Sequence, residues 1–181
     1  MSYRKKWMAI FYLKTYNMKR FLLVAVTLTV IMLGTEGLAQ GQPGLYKATY
    51  SSNFKMGKPA NANKILELWK DWDDNQLERH DYFADTITMM FPDGTTMKGK
   101  KENLEAAKKH RSSLSKVVSV VHAWLPMSSV DRKEDLVCIW GQETNTMADG
   151  KEEVRDLHEV WFFNKDGKVS MVRQWAAKFG K

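Results

Sequence analysis

The stretch HEVWFFNKDGKVSMVRQWAA, His158 to Ala177, decides the fold. An Asn-Lys-Asp-Gly turn separates two runs rich in aromatic and β-branched residues, the pattern of an antiparallel hairpin. One carboxylate, Glu159, lies among the aromatics. It is either a working acid inside a pocket or an ordinary charge on a solvated strand. Side chains alternate along a strand, so the hairpin register settles which face it takes.

Working back from this hairpin, the chain reads as strands separated by glycine turns. Lys116–Met127 precedes the polar loop SSVDRKED, Leu136–Thr146 turns at MADG, and Glu152–Phe163 turns at NKDG. Lys168–Phe179 closes the chain. Before these, Ile65, Leu68, Trp69 and Trp72 recur at helical spacing from Pro59 onward. Leu77 and Phe83 suggest a short second helix over Gln76 to Phe83. TITMMF (Thr86–Phe91) reads as a strand that turns at Asp93-Gly94 into a second, TTMKG. A third helix spans roughly residues 101–113, a run of good helix formers. Helices followed by antiparallel strands predict an α+β domain with its helices packed on one face of the sheet.

The N-terminal part has a different character. MKRFLLVAVTLTVIMLGTEGLAQ, starting at Met18, has the basic start, apolar run and small residues (Gly37, Leu38, Ala39) of a secretory signal, with cleavage expected after Ala39. Its apolar run, Phe21 to Leu33, is short beside the roughly 20 residues that a membrane span needs. Residues 1–17 are an extended basic lead or an early start. Residues 40–57 read as a linker or a loosely docked arm, and residues 58–181 as the folded domain.

Residues 1–39 hold six of the 28 basic residues and one of the 21 acidic ones, so the remaining 142 residues carry a net charge of +2. That argues against nucleic acid, which selects a basic stripe. Cys138 is the only cysteine, so neither a disulfide framework nor a cysteine metal site is expected. The four histidines show no metal-seating spacing, and no cofactor motif is present.

The phrases LWKDWDDNQLERHDYFADTITMMFPDGTTMKGKKENLEAA and EVWFFNKDGKVSMVRQW together resemble the nuclear transport factor 2-like superfamily, over about Asn63 to Lys178. Its bacterial members include SnoaL-like proteins and ketosteroid isomerases. The resemblance implies a cone: a curved, mainly antiparallel sheet of about six strands wrapped on three helices, with a pocket at one end. It also implies a homodimer through the outer face of the sheet. Placed in that register, Glu159, Trp161 and Phe163 face the pocket with Val172, Gln174 and Ala176. By the same spacing from MADG, Trp140, Gln142 and Thr144 face it too. His158, Met171, Arg173 and Trp175 fall on the outer face.

Glu159 stands where ketosteroid isomerases carry a protonated Asp, an acid kept neutral by its apolar site. Phe91 stands where they place the proton-shuttling Asp, and Leu68 or Trp69 where they place the first-helix donor. Isomerisation by that route therefore lacks its base. Two readings follow. One is an exported pocket protein that binds a small apolar or aromatic molecule, lined by Trp69, Phe91, Trp140, Gln142, Thr144, Trp161, Phe163 and Gln174. The other is a SnoaL-like enzyme, of isomerase, cyclase or hydrolase type, with Glu159 as acid or hydrogen-bond donor. As a plain structural residue, Glu159 would be satisfied by Gln174 or Arg155.

Overall fold

The computed structural model describes residues 45–178, and the signal-like segment lies outside them. Seven strands and two helices follow in the order β1 (Phe54–Met56), α1 (Pro59–Asp73), β2 (Phe83–Met90), β3 (Thr96–Lys98), α2 (Lys100–Ser112), β4 (Leu114–Ser129), β5 (Glu134–Met147), β6 (Glu152–Phe163) and β7 (Val169–Lys178). They form one sheet ordered β1-β4-β5-β6-β7-β2-β3. Only β2 and β7 pair in parallel; every other pair is antiparallel.

Pro59 opens α1, where its fixed φ and missing N–H cost nothing. One stripe of the helix, Ala62, Ile65, Leu68 and Trp69, packs on the inner face of the sheet against Ile87, Val137, Ile139, Trp161, Phe163, Val169 and Val172. Between Asp73 and Phe83 the chain does not re-enter a helix, so the short helix expected over Gln76 to Phe83 is replaced by turns. Asn75 adopts φ 57 and stops α1, and the Gln76 N–H returns to the Asp71 carbonyl. Phe83 instead begins β2, where it pairs with Val169. Asp85 is an exposed residue of β2.

The C-terminal end of α1 is closed by a buried cation. Arg111 of α2, 5% exposed, donates to the carbonyls of Trp72 (2.7 Å), Asp73 (2.8 Å) and Leu114 (3.2 Å). A guanidinium matches this task because it presents several donors in a fixed plane to orphan carbonyls at the negative end of a helix dipole. On another face of α1, Asp71 is fully buried and lies 2.7 Å from His80 Nδ1, whose ring stacks on Tyr82. That pair fastens the turns after α1.

The arm expected over residues 40–57 is docked where it is described. β1 extends the sheet beside β4. Tyr50 donates to Glu134 at 2.6 Å, lies edge-on to Phe162 and sits under the Arg132 guanidinium.

Candidate functional site: a buried carboxylate clamped by two indoles

Trp69 and Trp72 stand three residues apart on α1, so both indoles reach the sheet's inner face about one helical turn from each other. Each ends on a glutamate. Trp69 Nε1 donates to Glu159 Oε2 at 2.7 Å, and Trp161 Nε1 reaches the same oxygen at 2.9 Å. Gln174, opposite Glu159 on β7, donates from Nε2 to Oε1 at 2.6 Å. One turn further along α1, Trp72 Nε1 donates to Glu143 Oε2 at 2.7 Å, while Asn145 Nδ2 donates to Glu143 Oε1 at 2.5 Å.

Glu159 is 3% exposed. Burial pushes its carboxyl above the ordinary range, because a charge loses hydration there. The three N–H donors pull the other way, and the neighbouring charge of Glu143 adds to the rise. The outcome is an acid tied into the core by three hydrogen bonds.

The sequence register places β6 and the start of β7 on the faces the structure gives them. Glu159, Trp161 and Phe163 point inward opposite Gln174, Val172 and Val169. Ala176, expected to be inside, is exposed where the inner face runs out at the end of β7. The β5 reading is corrected. Trp140, Gln142 and Thr144 lie on the outer face: Trp140 is 40% exposed and pairs with outward His158, and Ile139, Gly141, Glu143 and Asn145 point inward instead. The cause is arithmetic in the strand between the two turns. β6 has 12 residues, so its first residue, Glu152, faces opposite to its last, Phe163. Thr146, paired with Glu152, therefore faces out, and all of β5 follows.

Of the other expected lining residues, Trp69, Trp161 and Phe163 belong to the closed core. Phe91 sits just past β2 in a turn, donating to the Thr95 carbonyl. Glu143, Asn145 and Arg111 were not singled out by the sequence reading, and Trp72 was read only as part of the helical stripe. Counting β6 as an even strand between two similar turns would have revealed Glu143 and Asn145. Nothing local announces Arg111, whose partners are backbone carbonyls distant in sequence.

Burial along the inner face falls from one end to the other. Val169 and Val172 are closed off, Gln174 is half-buried and Ala176 is exposed. The inner face thus opens beside Leu157, Arg155 and Ala176, which are neighbours across β6–β7. Two open grooves, of about 500 and 460 Å³, flank α2 and the turns after α1; Glu159 lines neither.

The outer face carries a continuous aromatic group. His158 lies between Trp140 (centroids 5.9 Å apart) and Trp175 (5.5 Å), and the Arg173 guanidinium is 4.9 Å from the Trp175 ring. Val118 and Val120 on β4 share this face and are also exposed. Among the described residues, no group of three His, Cys, Asp or Glu side chains could hold a metal ion, and no helix is long and apolar enough to cross a membrane.

No protein-family model and no curated protein matches the chain. Solved structures do. A putative SnoaL-like polyketide cyclase from Shewanella denitrificans is similar at TM-score 0.53 and 10% identity, covering 66% of this chain and 92% of its own. An NTF2-like protein of unknown function from Burkholderia pseudomallei follows at 0.52 and 15%, covering 63% and 88%. TerC, co-crystallised with polyporic acid, is similar at 0.51 and 17%, again covering 63% and 88%. The architecture is therefore the NTF2-like fold of the SnoaL-like proteins.

Proposed function

We propose that the chain is a SnoaL-like binding module whose cone takes a small apolar or aromatic molecule at its open end. The observation that carries this is the saturation of Glu159. Both of its oxygens are engaged by donors of the protein, so it serves as a structural tie and not as a free acid. An apolar cleft with a few convergent polar groups is sufficient for binding, and TerC, which shares the fold, was co-crystallised with polyporic acid. A second reading, enzymatic, is supported by Glu143, since general acid–base work needs a second titratable group near the first.

The experiment is a soak of the purified protein with a mixed library of aromatic and polycyclic metabolites, repeated with Glu159→Gln and Glu143→Gln. Binding predicts compounds retained by all three proteins with no turnover. Conversion that stops in either variant would establish the enzyme reading instead.

The same reading places the mature chain, from Gln40, in the periplasm or outside the cell; N-terminal sequencing of the exported form still finding Phe21 would overturn this. It also makes the protein a homodimer through the outer aromatic face, supported by the exposed apolar residues there. Light scattering that finds a monomer at tens of micromolar, an order-of-magnitude working concentration, would refute the dimer.

A further inference from the structure

β4 is the longest strand of the sheet, yet β1 pairs only with its last residues, Met127 to Ser129. From Lys116 to Leu125 the edge of β4 away from β5 has no strand beside it among the described residues. This stretch, KVVSVVHAWL, is rich in β-branched and aromatic residues, carries one formal charge, Lys116, and has no proline. Val118, Val120, Trp124 and Leu125 on it are exposed. An open edge of that composition is a template for a strand of another chain.

One side chain stands on that edge. In an antiparallel ladder every second residue turns its N–H and C=O away from the paired strand. Ser119 is such a residue: its N–H meets Asp73 Oδ2 at 3.2 Å, and its hydroxyl donates to Asp73 Oδ1 at 2.8 Å. By the same alternation Val117 and Val121 present their backbone groups to the open side, while the Val120 carbonyl, which lies over Gly141, faces β5. Asp73 is fixed in place, because Arg111 holds its backbone carbonyl at 2.8 Å. The register shift between Val121 and Ala123 adds a second interruption, since bulges twist an edge away from partners.

We propose that Asp73 is an edge lock: its carboxylate occupies the central donor of the open β4 edge and so bars a second copy of this chain from pairing there. The excluded partner is a second copy because the edge is complementary to itself. Reversed about Ser119, Lys-Val-Val-Ser-Val-Val-His (Lys116 to His122) sets Val117 opposite Val121 and Val118 opposite Val120, as a two-fold antiparallel pair requires. The two-fold axis would pass through Ser119, where Asp73 already stands. A carbonyl brought to that N–H would meet the carboxylate, and two carboxylates would meet across the axis. The lock does not depend on what the cone binds.

The test is sedimentation velocity at tens of micromolar, an order-of-magnitude working concentration, with the wild-type mass as reference. Asp73→Ala is expected to give species of about twice that mass or more. Asp73→Ser carries the same expectation should the alanine variant fold poorly. Adding Ser119→Pro removes the edge N–H without touching a bond to β5, and is expected to return the mass to the wild-type value. Glu159→Ala, destabilised two strands away from β4, is expected to keep the wild-type mass. Wild-type mass for both Asp73 variants would overturn the lock. Association that persists with Ser119→Pro, or that Glu159→Ala shows equally, would also overturn it, tracing the association to lowered stability and not to the edge.

Discussion

Glu159→Ala is expected to lower stability by about 3–5 kcal/mol, the order of leaving three buried donors unpaired and opening a core cavity. Glu159→Gln is expected to be nearly silent in acid and more stable than wild type in base. The alanine variant leaves the indole N–H groups of Trp69 and Trp161 and the amide of Gln174 without their acceptor, and adds a cavity in the core. The glutamine variant keeps one oxygen for the two indoles, and the Gln174 amide can rotate to accept from the new N–H.

The pH dependence follows from the direction of the shift. Burial raises the folded-state pKa of Glu159 above its ordinary value of 4.5, so the folded protein holds this proton more tightly than the unfolded chain. Its contribution is full below that value and is lost as pH rises through the folded-state pKa. Asp81 and Glu153, each lowered to about 2 by lysine and arginine partners, act in the opposite sense and only in stronger acid. Urea unfolding of wild type and Glu159→Gln across the range above pH 4.5 separates the contributions. Parallel stability curves for the two proteins would show that Glu159 does not change its protonation on unfolding there.

Gly141→Ala is the second large expected effect, about 1–3 kcal/mol, typical of overpacking, and toward the upper end because the backbone it meets cannot yield. A β-carbon at Gly141 would lie 2.3 Å from the Val120 carbonyl oxygen, 3.1 Å from the Val121 Cα and 3.2 Å from Cζ3 of Trp69. The first two atoms belong to the paired strand β4, next to its register shift between Val121 and Ala123. Relief requires either the ladder to open or Trp69 to lift off the sheet, and lifting Trp69 withdraws an indole from Glu159. The glycine is therefore a floor on which the Trp69 ring rests. Loss of near-ultraviolet tryptophan dichroism should accompany the lowered urea midpoint. A variant within about 0.5 kcal/mol of wild type, the usual scatter of surface changes, would refute the argument.

How much of this was legible beforehand differs along the chain. The NKDG hairpin was readable because one turn, one strand parity and a run of aromatics all specify the same face. Gly167 has the left-handed φ of 71° that this turn needs. The helical stripe Ile65, Leu68, Trp69 was readable because a period of 3.6 leaves few alternatives. β5 was not, since LVCIWGQETNT carries apolar residues in both parities up to Trp140 and polar ones in both parities after it. Its facing is inherited from β6 through pairing and cannot be found within its own residues. The segment after α1 was misread for the opposite reason. Leu77 and Phe83 are too few to define a period, and Asn75 together with the buried Asp71–His80 contact breaks the helix. The clamp on Glu159 needed three elements at once, so Gln174 could be named in advance as its partner and Trp69 and Trp161 as its neighbours, while the two indole hydrogen bonds could not.

The single parallel pairing in the sheet has a consequence for the order of assembly. β2 meets β7 along Phe83–Val169 and Met89–Val172, and β3 is attached to the sheet only through β2. Until the last strand exists, the β2–β3 hairpin has no neighbour in the sheet, Ile87 lacks Val169 and Val172 in the core, and Glu159 lacks Gln174. Such distant pairings make closure slow, because the loop entropy is lost before the contacts form. The β2–β3 hairpin therefore enters the sheet only once β7 is in place, and a chain cut short after the NKDG turn would lack the strand that joins them.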